Sequence, residues 1–222
     1  MGLLQLAAAA LALGGSAVVA TPVPEAEAVS AATKYCEAST SICYSEFANP
    51  AGVLYRIAIP DTATVGNFDL LLQIVAPKAV GWAGVAWGGV MTNNPLTVAW
   101  ANPGATSVVS SRRASSRTYP TPFADVSYTV LPGSTSNSTH WTVTALAKGL
   151  SSWGTTKLDP ASTATQFAWV TSATAPVEPA NNASRFSIHT AHAKWSHDLS
   201  SSKLANFTAL VQKAAAAKPA TL

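Results

Sequence analysis

Methionine is nearly missing from this chain: beyond the initiator Met1 there is one thioether, Met91, in "GGVMTNNPLTVAW" (88–100). Charge is scarce too. Asp, Glu, Lys and Arg make up 10% of the residues against 48% hydrophobic ones, and the formal net charge of +3 is spread thinly. No Lys/Arg run tracks a phosphate backbone, which argues against nucleic acid as a partner. A serine hydrolase would need a G-x-S-x-G elbow, and there is none. Glycoside hydrolysis needs two carboxylates in one cleft, whereas Asp61, Asp69, Asp125, Asp159, Glu178 and Asp198 are scattered. No glycine-rich cradle follows a strand and opens a helix, so dinucleotide binding is disfavoured as well. What 222 residues of this composition can build is one domain around a sizeable core.

The apolar excess is partly terminal. Residues 3–20, "LLQLAAAALALGGSAVVA", end in small side chains as a secretory signal cleaved after Ala20 would, although no Lys or Arg precedes them. The alternative is a membrane anchor; the Gly-Gly-Ser break and the following "TPVPEAEA" favour a signal peptide over 1–20 and a flexible segment over 21–33. No other stretch is long enough to span a bilayer, and "KAAAAKPATL" (213–222) reads as a flexible tail, too short and polar for a glycolipid-anchor signal. Three N-x-S/T acceptors, at Asn137, Asn182 and Asn206, agree with export and glycosylation. Cys36 and Cys43 are the only cysteines, and their spacing suits a small disulfide loop in an oxidising compartment, worth about 2.5 kcal/mol on the chain-entropy model. Free buried thiols, or half of a metal site, are the alternatives.

Between the ends the pattern is β. Segments 54–60, 68–77, 81–87, 96–101, 106–111, 126–131, 140–146 and 165–172 are short, rich in β-branched and aromatic residues, and separated by Pro, Gly and Asn turns. In "HWTVTAL", Trp141, Val143 and Ala145 share one face and Thr142 and Thr144 the other. The expected fold is an all-β, antiparallel, immunoglobulin-like sandwich over 34–212. From 200 to 217, Leu204, Phe207, Leu210 and Val211 recur at helical spacing, and Pro219 marks a stop, so a C-terminal helix is expected.

The chemistry left open is that of a metal or cofactor. Of the histidines His140, His189, His192 and His197, three lie in "FSIHTAHAKWSHDLS". That cluster reads either as a polar surface loop or as metal ligands; His189 and His192 could hold zinc or copper, but a closed zinc site needs four ligands and no suitable partner accompanies the pair. The expected mature first residue, Thr21, counts against a copper monooxygenase site built on an N-terminal histidine. A lone methionine and a histidine from distant segments make another pair, since haem iron accepts one axial thioether and one axial imidazole. Gap-filling in a core is the alternative for Met91, but its Gly/Asn/Thr-rich setting is that of a loop.

The runs "VGWAGVAWGGVMTNNPLTVAWA" (80–101), "VVSSRR" (108–113), "NSTHW" (137–141) and "FSIH" (186–189) together resemble the haem-binding cytochrome domain of fungal cellobiose dehydrogenases, a DOMON-like family, from about Tyr35 to Phe207. The resemblance implies a secreted β-sandwich binding haem b between Met91, in the "GG-x-M" loop, and His189, in "F-S-x-H", with His192 as the fallback ligand. It also implies single-electron transfer, with a flavin dehydrogenase as donor and copper-dependent polysaccharide monooxygenases, ferric iron or quinones as acceptors. Iron-reductase-like activity falls within that scope. No flavin domain fits in this length, so a stand-alone, monomeric member is expected, without a membrane or nucleic-acid partner. The chain departs from the family where many members carry C-x-x-C, having Ala147 and Leu150 instead, and at Ala193, where relatives often have glycine.

A non-covalent haem needs an apolar slot, for which Trp82, Trp87, Trp100 and the "LLLQIV" run are candidate walls, sandwich core being the simpler role for Trp100 and Trp169. Arg113, Arg117 and Tyr119 are candidate propionate donors, solvated surface being their plain alternative. A second class of function stays open: a haem-free carbohydrate-binding sandwich with exposed tryptophans stacking on sugar rings.

Overall fold

The structure is a computed structural model that describes residues 28–29 and 33–217. The expected signal peptide, most of the expected flexible N-terminal segment and the last residues of the tail lie outside them. In chain order the strands are β1 (Ala28–Val29), β2 (Thr33–Cys36), β3 (Cys43–Ala48), β4 (Leu54–Pro60), β5 (Leu70–Pro77), β6 (Trp82–Ala86), β7 (Pro95–Trp100) and β8 (Val108–Arg113). They continue with β9 (Thr121–Pro122), β10 (Ser127–Val130), β11 (His140–Lys148), β12 (Ser152–Trp153), β13 (Thr156–Lys157), β14 (Thr165–Ser172), β15 (Ala191–His197) and β16 (Lys203–Leu204), followed by helix α1 (Phe207–Ala216).

Two sheets face each other. One has the order β1-β15-β14-β6-β7-β8-β9, the other β10-β11-β5-β4-β3-β2 with β16 added beside β4; pairing is antiparallel apart from the two-residue strands β1 and β16. The fold is thus the expected antiparallel sandwich. Period-2 alternation decides what each strand buries. Trp141, Val143, Ala145 and Ala147 of β11 pair with Ala76, Ile74, Leu72 and Leu70 of β5, and all eight enter the core. From the other sheet come Ala83 and Val85 of β6, Trp87 just beyond it, Phe167 and Trp169 of β14 and Trp195 of β15. The centre is aromatic: Trp195 stacks on Phe47 across the sandwich at 4.8 Å, Phe167 meets Trp195 edge-on at 5.3 Å, and Trp87 meets Phe167 at 4.9 Å. Each such pair adds about 0.5–1.5 kcal/mol beyond burial of its area.

The outer faces differ. On the second sheet, Phe207, Val211 and Ala214 of α1 cover Ile42, Tyr44, Ala58 and Leu71. Among the described residues the first sheet has no helix over it, only the chain between β14 and β15.

Eight strands were not expected, five of two residues (β1, β9, β12, β13 and β16) and three longer ones (β2, β3 and β15). β2 and β3 form a hairpin in which Cys36 and Cys43 are register partners and disulfide-bonded, and β15 makes a strand of half the histidine cluster. The C-terminal helix begins only at Phe207, because residues 200–202 form a separate 3-10 turn, bonded to Asp198 Oδ1 by Ser200 Oγ at 2.6 Å and Ser201 N at 3.1 Å, and the strand β16 follows it. Leu204 instead pairs in parallel beside Pro60 at the end of β4. The helix then runs to Ala216, four residues past the expected domain end at 212.

Candidate functional site

Strand register places the candidate ligands. β14, β6, β7 and β8 lie side by side, and residues directly paired across them share a face. On the outer face one row reads Ser172–Trp82–Trp100–Val108, with Ser172 paired to Trp82 and Trp100 to Val108. The next reads His192–Val170–Gly84–Val98–Ser110, and the third Lys194–Ala168–Ala86–Leu96–Arg112. The first row is bulky, but the middle of the next two holds only Gly84, Ala86 and Ala168. A shallow trough results, floored by small residues and walled by Trp82, Val98, Val170 and the overlying Phe186. Gly84 is fixed by sterics, since a Cβ there would lie 2.5 Å from Thr97 O and 3.1 Å from Val170 Cγ2.

The two candidate ligands approach this face from opposite ends. Met91 sits half-buried in the turn that leaves β6 after Ala86 and returns as β7. This loop needs its glycines: Gly89 has φ +75°, where L side chains are strained, and a Cβ at Gly88 would overlap Asn94. Asn94 ties the turn together, donating from Nδ2 to Val90 O at 3.0 Å and accepting at Oδ1 from Trp153 Nε1 at 2.9 Å. His189 precedes β15, level with the Trp82 end of β6, and is also half-buried. Its ring meets that of His192 edge-on, centroids 4.7 Å apart, and burial, then His192, lowers its pKa from the ordinary 6.5. At neutral pH it is a neutral imidazole with a lone pair to give.

The covering segment is held down by polar contacts. Arg112, 1% exposed, donates from Nε to Ser110 Oγ at 2.7 Å and from Nη2 to the carbonyls of Asn182 and Ser184, both at 2.9 Å, with Phe186 5.4 Å from its guanidinium carbon. Tyr119 accepts from Phe186 N at 3.0 Å and donates to Ser184 O at 3.4 Å. Trp82 Nε1 donates to Ser187 Oγ at 3.3 Å, and the hydroxyls of Ser187 and Ser172 are 2.9 Å apart. Thr190 N continues the β14–β15 ladder by bonding Thr171 O at 2.9 Å.

The other expected site residues divide. Trp82 and Tyr119 belong to this face. Arg113 reaches the Met91 turn, with Nη2 3.5 Å from Asn93 O, and Arg117 is exposed on the neighbouring loop. Trp87 does not wall the trough: it points between the sheets and donates to Thr97 Oγ1 at 2.7 Å. "LLLQIV" lies in the other sheet, while Trp100 lies beneath the covering segment and donates to Pro179 O at 2.8 Å. His140 begins β11 in the other sheet, and His197 is buried in the core, accepting from Trp195 Nε1 and paired with Ser202. Arg112, Gly84 and Phe186 escaped the sequence reading; strand parity in "VVSSRR", which puts Val108, Ser110 and Arg112 on one side, was the available signal for the first. All seven tryptophans are buried, so none offers the exposed stacking ring that a carbohydrate module requires.

A haem fits these residues: a soft sulfur and a neutral imidazole from separate loops, an apolar trough kept open by Gly84, Ala86 and Ala168, and cationic and phenolic donors at its rim.

Known proteins share this fold. A pyrroloquinoline quinone-dependent pyranose dehydrogenase of Coprinopsis cinerea is 27% identical over 145 residues, 64% of this chain, which spans only 20% of that relative's length. The crystal structure of the cytochrome b domain of pyranose dehydrogenase from Coprinopsis cinerea matches with a TM-score of 0.77 at 22% identity, over 86% of this chain and 100% of the other. The cytochrome domain of Myriococcum thermophilum cellobiose dehydrogenase matches with a TM-score of 0.71 at 21% identity, over 86% and 98%. Both likenesses are of fold. Residues 35–209 match the family described as the cytochrome domain of cellobiose dehydrogenase, and the chain belongs to that family.

Proposed function

We propose that this chain is a secreted b-type cytochrome that passes single electrons between extracellular redox proteins, with Met91 and His189 as the axial ligands. The observation that carries the reading is the small-residue trough on the outer face of the first sheet, with the chain's only internal thioether at one end and a neutral imidazole at the other. Haem b, when bound, supplies a one-electron couple whose ferrous state a thioether favours.

The rest is the work of the chain. Met91 Sδ and a His189 ring nitrogen would hold the iron through their lone pairs, and with two protein donors it would have no open position for dioxygen or water. The Arg112 and Tyr119 contacts hold the His189 segment against the sheet, so that little rearrangement accompanies a change of oxidation state. Trp82, Val98, Val170 and Phe186 exclude water from the trough. Arg113, Arg117 and Tyr119 are the donors for the propionates, and Trp87 supports the floor from within the core. The flavin dehydrogenase as donor, and copper polysaccharide monooxygenases, ferric iron or quinones as acceptors, belong to the same proposal. So do the signal over 1–20, glycans at Asn137, Asn182 and Asn206, all three exposed, and a monomeric state.

The test is a visible spectrum of protein reconstituted with haem. Native protein and His192→Ala should give a six-coordinate, low-spin spectrum with sharp bands on reduction. Met91→Ala and His189→Ala should lose it while keeping the far-UV signature of the sandwich. Failure of native protein to take up haem, or a five-coordinate spectrum from it, overturns the reading.

A further inference from the structure

Charge is scarce in this chain but not evenly placed. Of its five arginines, Arg112, Arg117 and Arg185 lie in the segments that build the outer face of the first sheet, as does Lys194, while Arg113 follows Arg112 on β8 with the opposite parity and lies 5.1 Å from the Phe123 ring. Residues 79–122 contain no Asp or Glu, and 173–194 contain only Glu178, which accepts from Asn181 Nδ2 at 2.8 Å. Among the described residues the one salt bridge is Arg56–Glu46, on the other sheet, so the cations of this face have no carboxylate partner. They and Arg113 also surround the candidate site. Arg113 abuts the Met91 turn through Asn93 O, Arg185 lies over the Tyr119 ring at 5.3 Å, and Lys194 stands in the trough row beside Ala168.

The exposed apolar residues gather in the same place. Five large hydrophobic side chains are exposed among the described residues, and four of them, Val90, Tyr119, Val177 and Ile188, belong to these segments. Val90 adjoins Met91 and is 46% exposed; Ile188 adjoins His189 and is 85% exposed. Exposed apolar side chains interspersed with unpaired cations have the anatomy of a transient protein interface, in which long-range charge sets the encounter rate and the apolar side chains set the contact.

We propose that this face is a docking surface for an acidic protein, whose carboxylates meet Arg185 and Lys194 and whose apolar side chains cover Val90 and Ile188. The proposal deepens the electron-transfer reading by naming the chemistry of the partner, and the binding itself does not require a loaded haem. The exposed aliphatic side chains favour a protein over an anionic polysaccharide, which would leave Val90 and Ile188 uncovered.

The test uses two soluble redox proteins of opposite charge, an acidic cytochrome b5 and a basic cytochrome c, isotopically labelled and titrated with this chain, haem-free and haem-loaded, while their amide resonances are followed. Cytochrome b5 should shift along its acidic face and cytochrome c should not. The affinity should fall at least about tenfold between about 20 and 200 mM salt, as the screening length shrinks below the size of the patch. The double variant R185E/K194E, checked for an unchanged far-UV spectrum, should lose cytochrome b5 binding by at least about tenfold and gain binding to cytochrome c. Equal binding of both probes, indifference to salt, or an unaffected double variant overturns the proposal. Binding of polygalacturonate without binding of cytochrome b5 also overturns it, in favour of an anionic polysaccharide. Loss of the haem reading would appear in the visible spectrum alone and leave these titrations interpretable.

Discussion

At the scale of single residues, two buried groups carry more than their position in the sequence suggests. Among the described residues Arg112 has no acidic neighbour within ion-pair reach, yet its guanidinium is the only side-chain donor to the carbonyl of Asn182 and one of two, with Tyr119, to that of Ser184. Arg112→Met keeps much of the volume and removes those donors. Stability should fall by about 1–3 kcal/mol, the usual cost of leaving buried acceptors unmade, with a lower melting temperature and faster loss of haem to apomyoglobin; Arg112→Lys should recover part of each. His197 is the second group. Burial lowers its pKa from 6.5 to about 4, partly opposed by Asp198. Trp195 Nε1 donates to its Nδ1, so the proton resides on Nε2, toward Ser202. Because the unfolded chain binds a proton at this histidine more readily than the folded one, stability is complete above pH 6.5 and declines as pH falls toward 4. Urea unfolding at pH 7.5 and pH 4.5 should differ by on the order of 2–3 kcal/mol from this group, and His197→Gln should flatten that difference.

At the scale of elements, the trough depends on which residues the register brings side by side. Gly84, Ala86 and Ala168 come from two strands that are distant in sequence, and no single segment shows the gap they make. Ala168→Phe would fill it from the solvent side without entering the core. Haem uptake should weaken at least about tenfold in a Soret titration while the haem-free melting temperature stays within a degree or two, because surface substitutions on a strand seldom move stability by more than about 0.5 kcal/mol. The same elements show how far the sequence could be read. Strands over 54–60 and 165–172 were legible to the residue, from their β-branched and aromatic content, and the second from its alternation as well. β15 was not: "AHAKWSH" puts polar side chains on its outward positions, and only pairing with β14 makes it a strand. β2 and β3 were hidden for a related reason, the cysteines having drawn attention to a loop where a hairpin carries the bond. The candidate ligands were legible because their motifs are local. Arg112 and Gly84 were not, because their roles come from neighbours on other strands.

At the scale of the whole molecule, the sandwich is asymmetric in what covers it. The second sheet has its helix and an apolar seal of Phe207 and Val211; the first has a polar-pinned segment, unpaired cations and a trough. The large permanent core and the exposed working face are thus separated by one sheet thickness, so substitutions on the face can change recognition without reaching Trp195 and Phe47. The immunoglobulin-like frame was readable from patterning alone, whereas the division into a sealed and an open side was not, since it depends on which outer surface the C-terminal helix occupies.

The burial of every indole has an optical consequence. With Trp82 and Trp100 on the trough side and Trp87, Trp169 and Trp195 one layer behind, the ultraviolet emission of the protein arises almost wholly from chromophores within range of energy transfer to a porphyrin. Haem-free protein should fluoresce with the blue-shifted maximum of dry indole, and stoichiometric haem should darken it by most of its intensity. A titration that left the emission unchanged would mean that the porphyrin had settled elsewhere on the surface or nowhere. The chain therefore reports its own occupancy, with no label attached.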